Sequence, residues 1–149
     1  MRNAVVMTTK EETESRHNVA LYGSETNGQF SLRVQEVAPG EGTPLHIHVE
    51  QAETFHVVSG TFRFRVGDKE VIGKPGFTVH IPKGTPHCFL YDGATENGQL
   101  ISVLTPGIND GFIAEVPVAQ ENGASNEAQA EIAERFGTQI IGPGLEPTA

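Results

Sequence analysis

Three histidines and one glutamate sit at spacings that could assemble a metal centre. His46-Ile47-His48 is followed by Glu53, and His87 comes after the turn-rich Pro82-Lys83-Gly84-Thr85-Pro86. Leu45, Ile47 and Val49 alternate with His46 and His48, which is strand periodicity. Side chains at i and i+2 of a strand leave the same face, so His46 and His48 aim two imidazoles at one point. Glu53 can return after a short turn and offer a carboxylate there, and His87 can add a third imidazole. Neutral imidazoles with one carboxylate suit a divalent first-row transition metal that keeps positions open for water or substrate.

Strands must carry these residues, and the rest of the chain supplies them. Its 149 residues suit one domain with a proper core. The 17 glycines and 9 prolines favour short strands joined by tight turns. There is no Trp, so the eight Phe must supply much of the aromatic interior.

Taken in order, residues 1–27 read as an extended arm with weak strand content at residues 3–8 and 19–22. Phe30, Leu32 and Val34 alternate with Ser31, Arg33 and Gln35 in a strand. Glu53, Phe55 and Val57 share one face of the next strand after the histidines, with His56 on the other. Phe62, Phe64 and Val66 alternate with Arg63 and Arg65, which form a solvated face. Phe77, Val79 and Ile81 alternate again. His87, Phe89 and Tyr91 then share a face opposite Cys88 and Leu90. Leu100 to Leu104 is the last core strand. Short strands with frequent turns indicate an antiparallel all-β barrel or sandwich over residues 28–106.

Residues 107–149 form an extension. Residues 112–118 read as an edge strand or loop. Asn126 and Gln129 resemble a capping box. Ala128, Ile132 and Phe136 then make an apolar stripe, predicting a helix at about residues 127–136 that Gly137 ends.

Several classes are disfavoured. Ten Lys and Arg against 19 Asp and Glu give a formal charge of −9, without the basic run that nucleic acid needs and unsuited to anionic membranes. No apolar stretch reaches membrane-spanning length. The first residues lack the apolar segment of a secretory signal. Cys88 stands alone and cannot form an internal disulfide, which suits a reducing, cytoplasmic setting. There is no Gly-x-Ser-x-Gly and no phosphate loop.

The motif residues resemble the cupin superfamily. Its first motif is met by Gly40, His46, His48, Glu53 and Gly60, and its second by Gly76, Pro82, Gly84 and His87, with Tyr91 where the family often has Asn. The resemblance implies a small antiparallel jelly-roll barrel with a single motif pair. It also implies one divalent transition metal (Fe, Mn, Ni, Co, Cu or Zn) on His46, His48, Glu53 and His87. The tail after the barrel resembles small bacterial quercetin-dioxygenase-like cupins.

Beside that resemblance, the apolar interior of Phe55, Val57, Phe62, Phe64, Phe89 and Tyr91 is expected to line a pocket for a small aromatic or enolic molecule. Few cations are expected to point inward to hold a phosphate. The expected function is a metal-dependent dioxygenase in which Glu53 doubles as general base. The alternatives are a metal-dependent isomerase or epimerase, and a cupin that binds a small ligand without turnover. The arm, His56 and the tail helix suggest a homodimer.

Overall fold

Alternating apolar and polar residues build ten strands in the computed structural model, which describes residues 5–148. In chain order these are β1 (Val19–Leu21), β2 (Ser31–Val37), β3 (Leu45–His48), β4 (Ala52–Ser59), β5 (Phe62–Val66), β6 (Lys69–Gly73), β7 (Thr78–Ile81), β8 (His87–Tyr91), β9 (Gly98–Thr105) and β10 (Thr138–Gly142). Three α-helices accompany them, α1 (Lys10–Ser15), α2 (Asp110–Glu121) and α3 (Asn126–Arg135), with a short 3-10 helix at Gly23–Glu25. The strands form two antiparallel sheets, ordered β1-β2-β9-β4-β7 and β10-β3-β8-β5-β6. The two sheets pack face to face as a jelly roll.

The interior is where the inward faces meet. Phe55 and Val57 of β4 and Leu100 of β9 face Phe62 and Phe64 of β5 and Phe89 and Tyr91 of β8, all 5% exposed or less. Each such side chain contributes about 1.5–3 kcal/mol by leaving water. The rings interlock: Phe55 lies 5.6 Å from both Phe64 and Phe89, centroid to centroid. That spacing suits tilted and edge-on aromatic contacts. Arg63 and Arg65 point outward, as their alternation requires. Arg63 donates to the Glu146 carbonyl at 2.8 Å and so pins the C-terminal segment across β5.

Strand β2 departs from the apolar lining. Its ladder pairs Ser31 with Leu104, Arg33 with Ser102, Gln35 with Leu100 and Val37 with Gly98. Those β9 partners are all buried, and paired residues of an antiparallel ladder share a face. Ser31, Arg33 and Gln35 therefore turn inward. A cation does point into the interior, contrary to the impression left by the Phe-rich strands.

The N-terminal segment is not a free arm. Asn3 and Ala4 lie outside the described residues, and the segment from Val5 to Thr9 carries no strand. Thr9 caps α1 by accepting from the Glu12 amide. β1 pairs with β2, an ion pair joins Arg16 to Glu25, and the Arg16 guanidinium stacks 4.4 Å over the Tyr22 ring.

The tail holds two helices, and residues 112–118 lie within α2, not in a strand or loop. Gly111, Pro117 and the β-branched Ile113, Val116 and Val118 depress helix propensity there. Asn109 nevertheless caps the helix by accepting from the Gly111 amide at 2.8 Å, and Ile113 is buried beneath it. Tertiary packing outweighs a proline in the helix interior. In α3 the cap is Ser125, which accepts from the Ala128 amide at 3.1 Å. Asn126 is the first helical residue. Gln129 donates to the Ala124 carbonyl at 2.9 Å and so closes no capping box. Gly137 ends the helix at φ 84°, a left-handed conformation that favours glycine. α3 packs against α2 and β10 of its own chain.

Candidate metal centre

The three histidines and the glutamate of the two motifs meet inside the sandwich. One ligand atom each from His46, His48, Glu53 and His87 can be chosen so that all lie within 4.8 Å of one another. None of the four residues is more than 7% exposed. The local folding explains the convergence. β3 places His46 and His48 on its inward face, and the β3–β8 ladder sets His87 directly opposite His46. Glu53 enters from the other sheet at the start of β4, on the face it shares with Phe55 and Val57. The turn before His87 needs Gly84, whose φ is 80° and whose amide donates to the His48 carbonyl at 2.9 Å.

Hydrogen bonds decide which ring nitrogens face the centre. His46 Nδ1 lies 2.8 Å from the Pro44 carbonyl and His87 Nδ1 lies 2.9 Å from the Thr85 carbonyl. A carbonyl only accepts, so both Nδ1 atoms carry the proton and both Nε2 atoms of the neutral rings present lone pairs. His48 Nδ1 meets the Thr138 hydroxyl at 3.0 Å. Sequence reasoning missed Thr138, because nothing in the pattern of residues 138–142 brings β10 beside β3.

Glu53 Oε1 lies 3.0 Å from His87 Nε2 and 3.2 Å from His48 Nε2. Two donor atoms each about 2.1 Å from a shared ion, at about a right angle, stand about 3 Å apart. Lone pairs of imidazole and carboxylate that point at one another are reconciled by a cation among them. The donor set therefore fits a divalent transition metal, as three nitrogens and one oxygen.

The electrostatics favour the metal-ready protonation states. Burial, then the neighbouring His87 and His48, push His46 down to about 4, so it stays neutral. Burial alone would raise Glu53, but the His48 and His87 rings beside its carboxylate outweigh it and hold the carboxyl well below the usual range. Cys88 points away from the cluster, 2% exposed, and burial pushes its thiol up. It packs as a small hydrophobe.

A cavity of about 1140 Å³ opens beside the cluster, and His46 forms part of its wall. Arg33, Gln35 and Val37 of β2 line one side, with Thr43 and Phe89. Phe112, Val116 and Pro117 of α2 and Ala130 and Ala133 of α3 line another side. Of the six residues expected to line a pocket, Phe89 lies on this cavity; Phe55, Val57, Phe62, Phe64 and Tyr91 instead fill the core. The Tyr91 hydroxyl donates to the Glu96 carbonyl at 2.9 Å, a structural bond. Its ring takes the space left by Gly60, where a Cβ would come within 2.7 Å. His56 and His80 lie on the outer face of β4 and β7, each within 2.8 Å of a cross-strand threonine hydroxyl.

Comparison with known proteins agrees with this architecture. Residues 33–104 match the Cupin domain family, the stretch that runs from Arg33 of β2 to the end of the β9 core. Quercetin 2,3-dioxygenase of Bacillus subtilis (strain 168) is 27% identical over 96 residues, which are 64% of this chain and 28% of that protein. The chain thus spans little more than a quarter of that relative's length. Among solved structures, KdgF from Halomonas sp. superposes with a TM-score of 0.55 at 16% identity, covering 62% of this chain and 78% of that one. An RmlC-like cupin from Shewanella frigidimarina NCIMB 400 gives 0.51 at 19% identity, covering 56% and 71%. At these identities the structural likeness bears on fold alone. No helix among the described residues is long and apolar enough to cross a membrane.

Proposed function

We propose, on the premise that residues 33–104 of this chain are a cupin domain, that the protein is a metal-dependent enzyme acting on a small organic molecule. The reading is a quercetinase-like dioxygenase for an aromatic or enolic substrate. The observation that carries it is the buried cluster of three imidazoles and one carboxylate beside a cavity whose wall includes His46. The similarity to a quercetin 2,3-dioxygenase supports the reaction class.

His46, His48, Glu53 and His87 would hold one divalent transition metal, which supplies Lewis-acid polarisation and, when redox-active, one-electron chemistry toward dioxygen. The chain's own residues do the rest. Pro44 and Thr85 fix the imidazole tautomers through their carbonyls. Glu53 stays ionised and can accept the proton of an acidic substrate hydroxyl within reach of its carboxylate. Phe112, Val116 and Pro117 give the cavity an apolar side against which an aromatic body can pack.

Metal analysis of tag-free protein, followed by oxygen uptake on flavonols and β-diketones, tests the reading. About one divalent transition metal per chain and substrate-dependent oxygen consumption are expected. Metal binding with substrate isomerised and no oxygen consumed would instead favour an isomerase, and melting shifts without turnover a binding protein.

A homodimer belongs to the same proposal on narrower grounds. The N-terminal segment and α3 already have partners in their own chain. What remains is exposed Val71 and Ile72 on edge strand β6 and Ile140 and Ile141 on edge strand β10. A monomeric mass by light scattering at micromolar concentration would contradict it.

A further inference from the structure

Arg33 is the sole lysine or arginine among the cavity's lining residues. It stands on the inward face of β2, opposite Ser102. Its position is fixed, because Nη2 donates to the His17 carbonyl at 3.0 Å. His17 and Asn18, at φ 55° and 66°, hold a left-handed backbone that carries this carbonyl to the guanidinium. Such consecutive non-glycine residues are strained and persist only where the surroundings hold them. The rest of the guanidinium is unsatisfied: neither Nε nor Nη1 has a hydrogen-bond partner among the described residues, and Nε is cut off from water. No carboxylate among the described residues lies within ion-pair distance of it; Arg16, Arg63 and Arg135 have such partners, Arg65 does not, and the buried Glu53 acts on Arg33 only from beyond that distance.

A half-buried arginine kept unpaired beside a cavity is costly unless an anion completes it. Glu36, Glu41 and Glu121 also line the cavity, but all three are exposed to solvent and screened there. A divalent ion on one glutamate and three neutral histidines leaves a net positive centre. Arg33 adds a second positive charge on the same cavity, in a chain of net charge −9. We infer that the cavity selects a small organic acid, with its carboxylate on the Arg33 guanidinium and its body against Val37 and Phe89. With Nη2 held by the His17 carbonyl and Nε out of reach of solvent, Nη1 is the guanidinium nitrogen left to donate a charge-assisted hydrogen bond to a carboxylate oxygen. A neutral flavonol would leave Arg33 unpaired. The inference rests on the reading of this cavity as the substrate site and narrows its substrate class.

Calorimetric titration of the metal-loaded protein with 2-hydroxybenzoate and with 2-hydroxybenzamide tests it. The two probes share a ring and a hydroxyl and differ in charge. The acid is expected to bind about tenfold or more tightly than the amide, as charge-assisted hydrogen bonds are stronger than neutral ones. Arg33→Gln should bring the two within about threefold of each other, and Arg33→Lys should restore part of the preference, with metal content unchanged. Equal binding by the unaltered protein, no binding of the acid up to millimolar concentration, or a preference that survives in Arg33→Gln overturns the inference. The unaltered-protein comparison stands even if a variant misfolds. Failure of the dioxygenase reading would look different: acid selectivity intact, but no oxygen consumed with any substrate.

Discussion

His46 and His87 stand directly opposite each other across the β3–β8 ladder, their rings 4.3 Å apart, although four other strands separate them in the chain. Burial, with the His87 ring beside it, disfavours charging His46, which is held neutral as a ligand must be. Replacing one ring by a methyl leaves a hole in the donor set. His46→Ala, His48→Ala and His87→Ala are each expected to cut bound metal well below one per chain while the far-ultraviolet circular dichroism stays that of the parent. Parental metal content in all three variants, measured by elemental analysis, would remove the site.

Thr138 reaches the same centre from outside. Its hydroxyl meets His48 Nδ1 and orients that ring, and such outer partners commonly change metal affinity by about 10–100-fold. Thr138→Val keeps the shape and removes the hydrogen bond. It should weaken metal binding by roughly tenfold, read by competition with a chelator. An unchanged affinity would mean that packing alone orients His48.

Phe64 gives a prediction about the fold. It is fully buried, touching Phe55, Phe62, Phe77 and Phe89 in ring contacts. Phe64→Ala should cost about 3–5 kcal/mol in denaturant unfolding, the range for an aromatic lost from a packed core. A loss below about 1 kcal/mol would mean that the ring occupies a cavity wall, as the sequence suggested, and not the core.

That difference marks where sequence reading ends. The metal ligands were legible because period two is strict in β3, and because the glycines and Pro82 sit at recurring intervals that set the turns. The Phe side chains were legible as inward-facing, but alternation cannot say whether an inward face meets another sheet or a void. β2 meets a related limit: the alternation of Leu32 and Val34 with Arg33 and Gln35 marks a strand without saying which set faces inward, and the register with β9 turns Arg33 and Gln35 that way. Only the ladder fixes that orientation. α2 was hidden because Pro117 and β-branched residues argue locally against a helix that packing makes. Thr138 could not have been found, since β3 and β10 meet only through the fold.

The ion pair of Arg16 with Glu25 offers a pH test remote from the metal. Burial raises the Glu25 carboxyl, but the hydrogen bonds from Arg16 and the Tyr22 amide outweigh it and hold its folded pKa below the usual value. The sign follows: the contribution is present above the unfolded pKa and is lost as pH falls through the folded one. The side chain is 26% exposed, so screening keeps the effect near about 1 kcal/mol or less. Glu25→Gln should therefore be less stable than the parent at pH 7, and the two should converge below about pH 4. A gap that stays constant with pH would assign the effect to packing of the N-terminal segment.

Glu53 separates metal holding from chemistry. Three imidazoles alone can keep a divalent ion, as catalytic zinc sites with three histidines do, so the carboxylate is partly dispensable for binding. Its position is less dispensable: Oε1 stands within 3.2 Å of both His48 Nε2 and His87 Nε2, and the proposed reaction asks it to take the proton of an acidic substrate hydroxyl. Glu53→Gln keeps the size and one oxygen donor but cannot serve as a base. It should retain much of the metal and lose about two or more orders of magnitude in turnover, the usual worth of general-base catalysis. Near-parental turnover with full metal would make Glu53 a ligand only. If the Gln variant sheds its ion, Glu53→Asp decides the matter. A shorter carboxylate that keeps metal yet loses turnover points to a base out of reach, whereas full turnover with Asp and none with the metal-free Gln variant points to a charge needed for binding.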